Sequence, residues 1–165
     1  DIALRLKPNA VCIVPEKRME ITTEGGLDLI SQFDRLKSIC HQLSDNGLRI
    51  SLFIEPDLRQ IETAARLEVP VIELHTGTYS ELRADDKENE LKRIQRAVDY
   101  ANELGIECHA GHGLNYENVG PIASIKKITE LNIGHFLIGE AVFIGLTNAI
   151  DKMKRIMAEA RKVEA

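Results

Sequence analysis

The 165-residue sequence has few cysteines and no long apolar run, and both shortages narrow the class of protein. There are three cysteines, an odd number, and no C-x-x-C spacing among Cys12, Cys40 and Cys108. The sequence therefore predicts neither a disulfide framework nor a cysteine-based zinc site. No run approaches the roughly 18 apolar residues that a membrane-spanning helix needs. We therefore expect reduced, partly buried cysteines, no membrane partner and a cytoplasmic location.

The sequence also lacks any concentration of positive charge. Its formal net charge is -5 at pH 7, and its lysines and arginines are spread along the chain. Because nucleic-acid-binding proteins carry basic patches or stripes, we expect no nucleic-acid partner. With 44% hydrophobic and 28% charged residues, the composition is that of an ordinary folded domain and favours a small-molecule ligand.

Strand-like and helix-like patterns alternate along the chain without a linker or a low-complexity segment. Apolar runs with β-branched residues predict strands at residues 10–14, 49–54, 69–74, 106–109 and 128–133. Helices are predicted at residues 27–46, 58–67, 85–104, 119–125, 140–144 and 147–162, after a helix end at 1–7. The alternation predicts a single α/β domain over residues 1–165 with a parallel sheet.

Two glycine–histidine turns follow the last two predicted strands. The first is Ala110–Asn115, which contains Gly111-His112-Gly113, and the second is Asn132–His135. A histidine between glycines has neighbours without side chains, so a substrate can lie against the backbone while the imidazole reaches it. We therefore expect the two turns to share one pocket, with His112 as the first candidate for chemistry.

The same turns are candidates for phosphate binding. In barrels of alternating strands and helices, ligands bind at the carboxyl ends of the strands, and the last two loops often hold phosphate. Backbone N–H groups of Gly113, Gly134 and Gly139, with the start of a small helix near Glu140, could surround such an anion.

The other histidines leave alternatives open. His135 could be a second acid or a phosphate ligand, and His75 at a strand end could be functional or structural, whereas His41 and His109 are expected to be structural. His75, His112 and His135 together could also bind zinc. Lys17 lies after the first predicted strand, where a Schiff-base lysine of an aldolase could lie.

Five segments in register carry a resemblance to a known family. The segments are Val14–Arg18, Thr22–Asp28, Ile72–Gly77, Ala110–Leu114 and Leu131–His135. In order and spacing they resemble the pyridoxine 5′-phosphate synthase family over essentially the whole chain. The resemblance implies a TIM (β/α)₈ barrel, of which this sequence holds about five strand–helix units.

The family resemblance also implies a reaction. Such synthases condense 1-deoxy-D-xylulose 5-phosphate with 3-amino-2-oxopropyl phosphate to form pyridoxine 5′-phosphate, phosphate and water in vitamin B6 biosynthesis. The implied partners are small phosphorylated substrates and further copies of the chain in a homo-octamer, without a metal or an organic cofactor.

By the same resemblance, His112 is the catalytic proton donor, and Gly113 and the pair Gly134-His135 contact phosphorylated substrate. Thr22 is expected to contact the sugar substrate from the loop after the first strand. That loop, with Gly25-Gly26, is expected to close over the site as a lid.

The family has three further strand–helix units ahead of the matched part, and they carry a catalytic histidine, a glutamate that acts as general base and an arginine that binds substrate. We therefore expect Asp1–Ala165 expressed alone to aggregate or oligomerise and to form no pyridoxine 5′-phosphate. Two other functions stay open: a phosphate-ligand-binding or assembly module without catalysis, and another phosphate-handling barrel enzyme such as an aldolase or isomerase.

Overall fold

The computed structural model describes residues 2–15 and 25–162 of the chain. Its centre is a parallel sheet of five strands that are neighbours in the order of the chain. The strands are β1 (Ala10–Ile13), β2 (Arg49–Ile54), β3 (Val71–His75), β4 (Glu107–Gly111) and β5 (Ile128–Asn132). This sequential parallel order is the arrangement found in (β/α) barrels, and it confirms the predicted α/β class.

Helices lie before the first strand, between successive strands and after the last one. They are α1 (Ile2–Leu6), α2 (Phe33–Asp45), α3 (Leu58–Arg66), α4 (Gly77–Glu81), α5 (Ala84–Glu103), α6 (Val119–Ser124), α7 (His135–Ile144) and α8 (Leu146–Ala160). Among the described residues, no helix combines the length and the hydrophobicity that crossing a membrane requires.

The core lies between the strands and the helices that follow them. Ile72 and Leu74 of β3 are fully buried, as are Ile94 and Val98 of α5. Because side chains alternate along a strand, Glu73 lies on the opposite face of β3 from these two residues. One face of the sheet therefore packs on helices, and the other presents polar groups.

The cysteines agree with the expectation of free thiols. Cys40 and Cys108 are buried, Cys12 is exposed, and all three are free. The exposed Cys12 lies on β1, on the polar face of the sheet, where its thiol approaches a Glu73 carboxylate oxygen at 3.5 Å.

Helix α2 begins at Phe33, so the predicted start at residue 27 is wrong. Leu27 instead donates its N–H to the Phe53 carbonyl at 2.7 Å, and the Asp28 carboxylate accepts from the N–H of Ile30 at 3.2 Å. An aspartate that binds nearby backbone N–H groups favours a turn over a helix. Leu27 and Leu29 are buried all the same, so the apolar spacing reflects core packing and not helical periodicity.

Three further differences from the prediction lie near the site. Strand β4 runs on to Gly111, where it pairs with Asn132 of β5. A short helix, α4, occupies the loop after β3. Helix α7 begins at His135 and not near Glu140, because the apolar run that follows Gly134 continues as one helix of ten residues.

Candidate active site

A cavity of about 710 Å³ opens at the carboxyl ends of the strands. Both predicted glycine–histidine turns reach it, as the sequence predicts. Its lining residues are Val14, Phe53, Glu73, Ser80, Glu81, His112, Gly113, Leu114, Asn115, Asn132, Ile133, Gly134, His135 and Phe136.

His112 directly follows β4 and adopts a left-handed backbone conformation, with φ of 83°. For a residue with a side chain this conformation costs about 1–2 kcal/mol. Such strain is found where the surrounding structure enforces it, and it concentrates at functional sites. The side chain is exposed to the cavity, so the imidazole is free to meet a ligand.

Each of the two glycines beside His112 is required by a different close contact. A Cβ on Gly111 would collide with Glu73 Oε1 and would lie 2.8 Å from the Asn132 carbonyl oxygen. Gly113 has φ of 74°, and a Cβ there would lie 2.7 Å from Ser80 Cβ. Gly111 thus makes room for a carboxylate of the site, a role that the sequence analysis did not predict.

Hydrogen bonds fix the loop that follows His112. The Asn118 side chain donates to the Gly113 carbonyl at 3.0 Å, and its Oδ1 accepts from the N–H of Asn115 at 2.8 Å. Asn118 is buried, so the loop is held from inside. A ligand would therefore meet a backbone that is already ordered around Gly113.

Gly134 and His135 lie where β5 passes into α7. Gly134 is the residue before the first helical turn, and both residues are exposed and line the cavity. The free N–H groups of a helix N-terminus attract anions. The helix N-terminus beside the two turns is therefore at His135 and not near Glu140, where the sequence pattern predicts it. Gly139 lies inside α7 and does not line the cavity.

Glu73 is a candidate to which the sequence pattern assigns no role. Its side chain lines the cavity from the middle of β3. Burial raises the pKa of this carboxyl above its ordinary value, although the Cys12 thiol and His109 act in the opposite direction. A charged residue inside an otherwise apolar strand was the signal that could have identified it.

His75 does not line the cavity but lies directly behind it. Only 3% of its side chain is exposed, and its Nδ1–H donates to Glu55 Oε1 at 2.7 Å. Burial raises the pKa of Glu55, but the hydrogen bond and charge of His75 outweigh it, with help from the Gly26 N–H and Arg93, so the net shift is downward. His75 is thus tied to an ionised carboxylate.

The structure gives the zinc hypothesis no support. Within residues 2–15 and 25–162, no three His, Cys, Asp or Glu side chains are placed to hold a metal ion. His75 and His112 are in ring contact, with centroids 4.9 Å apart, but among the described residues no third ligand joins them to form a metal site.

The remaining sequence predictions divide into two groups. Thr22, predicted to bind the sugar substrate, and Lys17, the Schiff-base candidate, lie outside the described residues. His41 is exposed on α2, and His109 is buried in β4 with its Nε2 2.8 Å from Glu107. Neither His41 nor His109 lines the cavity.

Parallel strands in sequential order, with the polar groups of the site at their carboxyl ends, define a protein of the (β/α)-barrel type. Two solved structures share this fold. A xylose isomerase domain protein from Planctomyces limnophilus has a TM-score of 0.57 at 13% identity over 94% of this chain and 64% of its own. The copper homeostasis protein CutC from Streptococcus agalactiae, described as putative, has a TM-score of 0.51 at 20% identity over 79% of this chain and 58% of its own.

Within this class the chain belongs to the family of the pyridoxal phosphate biosynthesis protein PdxJ, whose model matches residues 1–159. Pyridoxine 5′-phosphate synthase from Zymomonas mobilis is 57% identical over 161 residues, which are 98% of this chain and 63% of that protein. The synthase from Rhodospirillum rubrum is 54% identical over 96% of this chain and 64% of its own length. The chain therefore spans slightly less than two thirds of these relatives.

Proposed function

We propose that the protein is a pyridoxine 5′-phosphate synthase that condenses 1-deoxy-D-xylulose 5-phosphate with 3-amino-2-oxopropyl phosphate. Family membership supports the proposal. The observation that carries it is the meeting of two separate turns at one cavity, with His112 and Gly113 after β4 and Gly134 and His135 after β5. One turn supplies a proton donor, and the other supplies a helix N-terminus for phosphate.

In this function His112 is the proton donor. Imine formation and ring closure each expel water, and hydroxide is a poor leaving group unless a positioned acid protonates it. An imidazole exchanges protons near neutral pH, and one positioned acid typically contributes about 10²- to 10⁴-fold to a rate. Its exposure to the cavity lets it reach a substrate there.

Phosphorylated substrate is held by Gly113 and by the pair Gly134-His135. Both glycines are exposed at the cavity, so a phosphate can approach the backbone closely. The first turn of α7 adds N–H groups and the positive end of its dipole. Thr22 contacts the sugar substrate in this proposal, as the family resemblance implies.

Glu73 is the second group suited to proton transfer. A carboxyl with a raised pKa holds a proton closer to neutral pH than an ordinary glutamate does, which is the property of a general acid or base. The missing side chain of Gly111 leaves the space that the Glu73 carboxylate occupies. Glu73 in β3 and His112 after β4 therefore act on one bound substrate.

The wider features of the proposal follow the family resemblance. The partners are small phosphorylated molecules and further copies of the chain in a homo-octamer, and the reaction uses no metal or organic cofactor. Residues 1–165 form one domain, and the protein works in the cytoplasm. These features stay predictions.

The test compares two histidine variants of the full gene product that carries this chain. His112→Asn removes the imidazole but keeps a residue that tolerates positive φ, so the backbone of the site is retained. We expect turnover to fall by about 10²- to 10⁴-fold, while binding of 3-amino-2-oxopropyl phosphate persists. The matched control is His41→Asn on the exposed side of α2, which should leave turnover unchanged.

The readouts are the rate of pyridoxine 5′-phosphate formation and the calorimetric affinity for the amino-ketone phosphate. Near-normal turnover of His112→Asn would show that His112 is not the proton donor. Tight binding of phosphorylated ligand by the wild type without any product would favour the binding module over the synthase.

A further inference from the structure

The strained backbone of His112 is held by the turn that follows the neighbouring strand. This turn consists of His75, which is the last residue of β3, and of Thr76 and Gly77. The Thr76 N–H donates to the Gly111 carbonyl at 2.8 Å. The Thr76 hydroxyl lies within hydrogen-bond distance of two carbonyl oxygens, that of Gly111 at 2.8 Å and that of His112 at 2.7 Å.

Thr76 is fully buried, with an exposed fraction of 0%. A hydrogen bond removed from water has no solvent to replace it when one partner is lost. The two carbonyl groups that Thr76 contacts lie on either side of the His112 N–H and Cα, so they set the direction in which the imidazole leaves the backbone. Thr76 does not line the cavity and cannot touch a ligand there.

The same turn supports the imidazole ring. The rings of His75 and His112 are tilted by 44°, with their centroids 4.9 Å apart. His75 is itself held by Glu55, which also pairs with Arg93 at 3.4 Å. Gly77 leaves room for both rings, because a Cβ there would lie 2.5 Å from His75 Nε2 and 3.0 Å from His112 Cδ2.

We propose that Thr76 and His75 are positioning residues for His112: Thr76 fixes its backbone, and His75, held by Glu55, supports its ring. The inference rests on the proposed role of His112 as proton donor. Neither residue contacts substrate, so loss of either interaction lowers turnover and leaves substrate affinity nearly unchanged. A misplacement of about 1 Å in a catalytic group can cost about 10²-fold in rate.

The decisive pair of variants is Thr76→Val and Thr76→Ser in the full gene product. Valine has the shape of threonine without the hydroxyl, whereas serine keeps the hydroxyl and loses the methyl group. We expect Thr76→Val to lower kcat by about 10- to 100-fold with KM within about threefold of wild type. Thr76→Ser should restore kcat to within about threefold of wild type.

Equal loss in both variants would overturn the proposal, because the methyl group and not the hydroxyl would then matter. So would a raised KM at unchanged kcat. If Thr76→Val does not fold, Glu55→Gln decides, since that side chain is one-third exposed and the change removes the negative charge that pairs with His75 and with Arg93. Unchanged kcat in Glu55→Gln overturns the proposal, and a fall of at least about threefold supports it.

A second readout separates this inference from the proposed function. The 165 residues hold five histidines, and in a spectrum of the full gene product the imidazole carbon–proton signal that disappears in His112→Asn belongs to His112. Thr76→Val should shift or broaden that signal, and Thr76→Ser should not. A wild type that makes no product refutes the synthase alone, whereas a His112 signal that Thr76→Val leaves in place refutes the positioning role.

Discussion

Gly113→Ala tests the geometry of the site through two separate costs. The left-handed backbone, with φ of 74°, costs an alanine about 1–2 kcal/mol. The new Cβ would also lie 2.7 Å from Ser80 Cβ and closer still to its hydroxyl oxygen. Overpacking of this kind costs about 1–3 kcal/mol. We therefore expect the free energy of unfolding to fall by about 2–5 kcal/mol.

Two other glycines of the chain isolate these costs. Gly105 has φ of 76° with nothing within 4 Å of an added Cβ, so Gly105→Ala should lose only the backbone part, about 1–2 kcal/mol. Gly139 lies inside α7 with open space around it and no positive φ. Gly139→Ala should therefore gain about 0.5–1 kcal/mol, because alanine favours the helix.

The measurement is urea unfolding followed by far-ultraviolet circular dichroism, since the sequence has no tryptophan to report by fluorescence. Ser80→Gly removes the side chain that the new Cβ would meet, so in that background Gly113→Ala should cost only the backbone part of the unfolding free energy. The reference is Ser80→Gly alone, because that change by itself removes the hydrogen bond from Ser80 to the Gly77 carbonyl. If Gly113→Ala lowers the free energy of unfolding no more than Gly105→Ala does, Ser80 does not lie close to Gly113.

Two further predictions concern charge. The hydrogen bond from His109 lowers the pKa of Glu107 to about 2 from 4.5, aided by Arg49 and Thr129, so its stabilisation is present above pH 4.5 and is lost as the pH falls towards 2. Glu107→Gln should remove this part of the pH dependence, so its urea midpoint should change less than that of the wild type as the pH falls below 4.5. Urea midpoints that fall in parallel in the two proteins would contradict the prediction. In crystals grown with sulfate or phosphate we expect the anion near Gly113 and Gly134, whereas a tetrahedral metal bound by histidines there would favour the zinc alternative.

The sequence predicted the sheet and the two turns because both depend on local signals. Buried parallel strands read as continuous apolar runs, and glycine beside histidine is visible in any sequence. The sequence pattern predicts too early a start for α2, because Leu27 and Leu29 are buried although they lie in a loop and not in a helix. The start of α7 was placed too late because the apolar stretch after Gly134 has no polar stripe to mark a helix face.

The support of His112 could not be predicted, because it depends on which strands are neighbours. Residues 36 positions apart meet when the Thr76 hydroxyl reaches the His112 carbonyl, and the Glu55–His75 pair spans 20 positions. No periodicity within one segment contains that information. Once the order of the strands is known, however, the register of β3 against β4 puts His75 beside Gly111, so the turn after β3 must pass next to His112.

That register also explains why the site is built on glycine. Glu73 lies opposite His109 in the ladder, two positions before the pair formed by His75 and Gly111. A side chain at Gly111 would fill the space of the Glu73 carboxylate. The glycine before His112 therefore lets a strand carboxylate and a loop imidazole share one cavity, and the glycine after it lets the chain turn back past Ser80. Access to the backbone from the cavity is a consequence of this packing, because the same absent side chains leave the turn open.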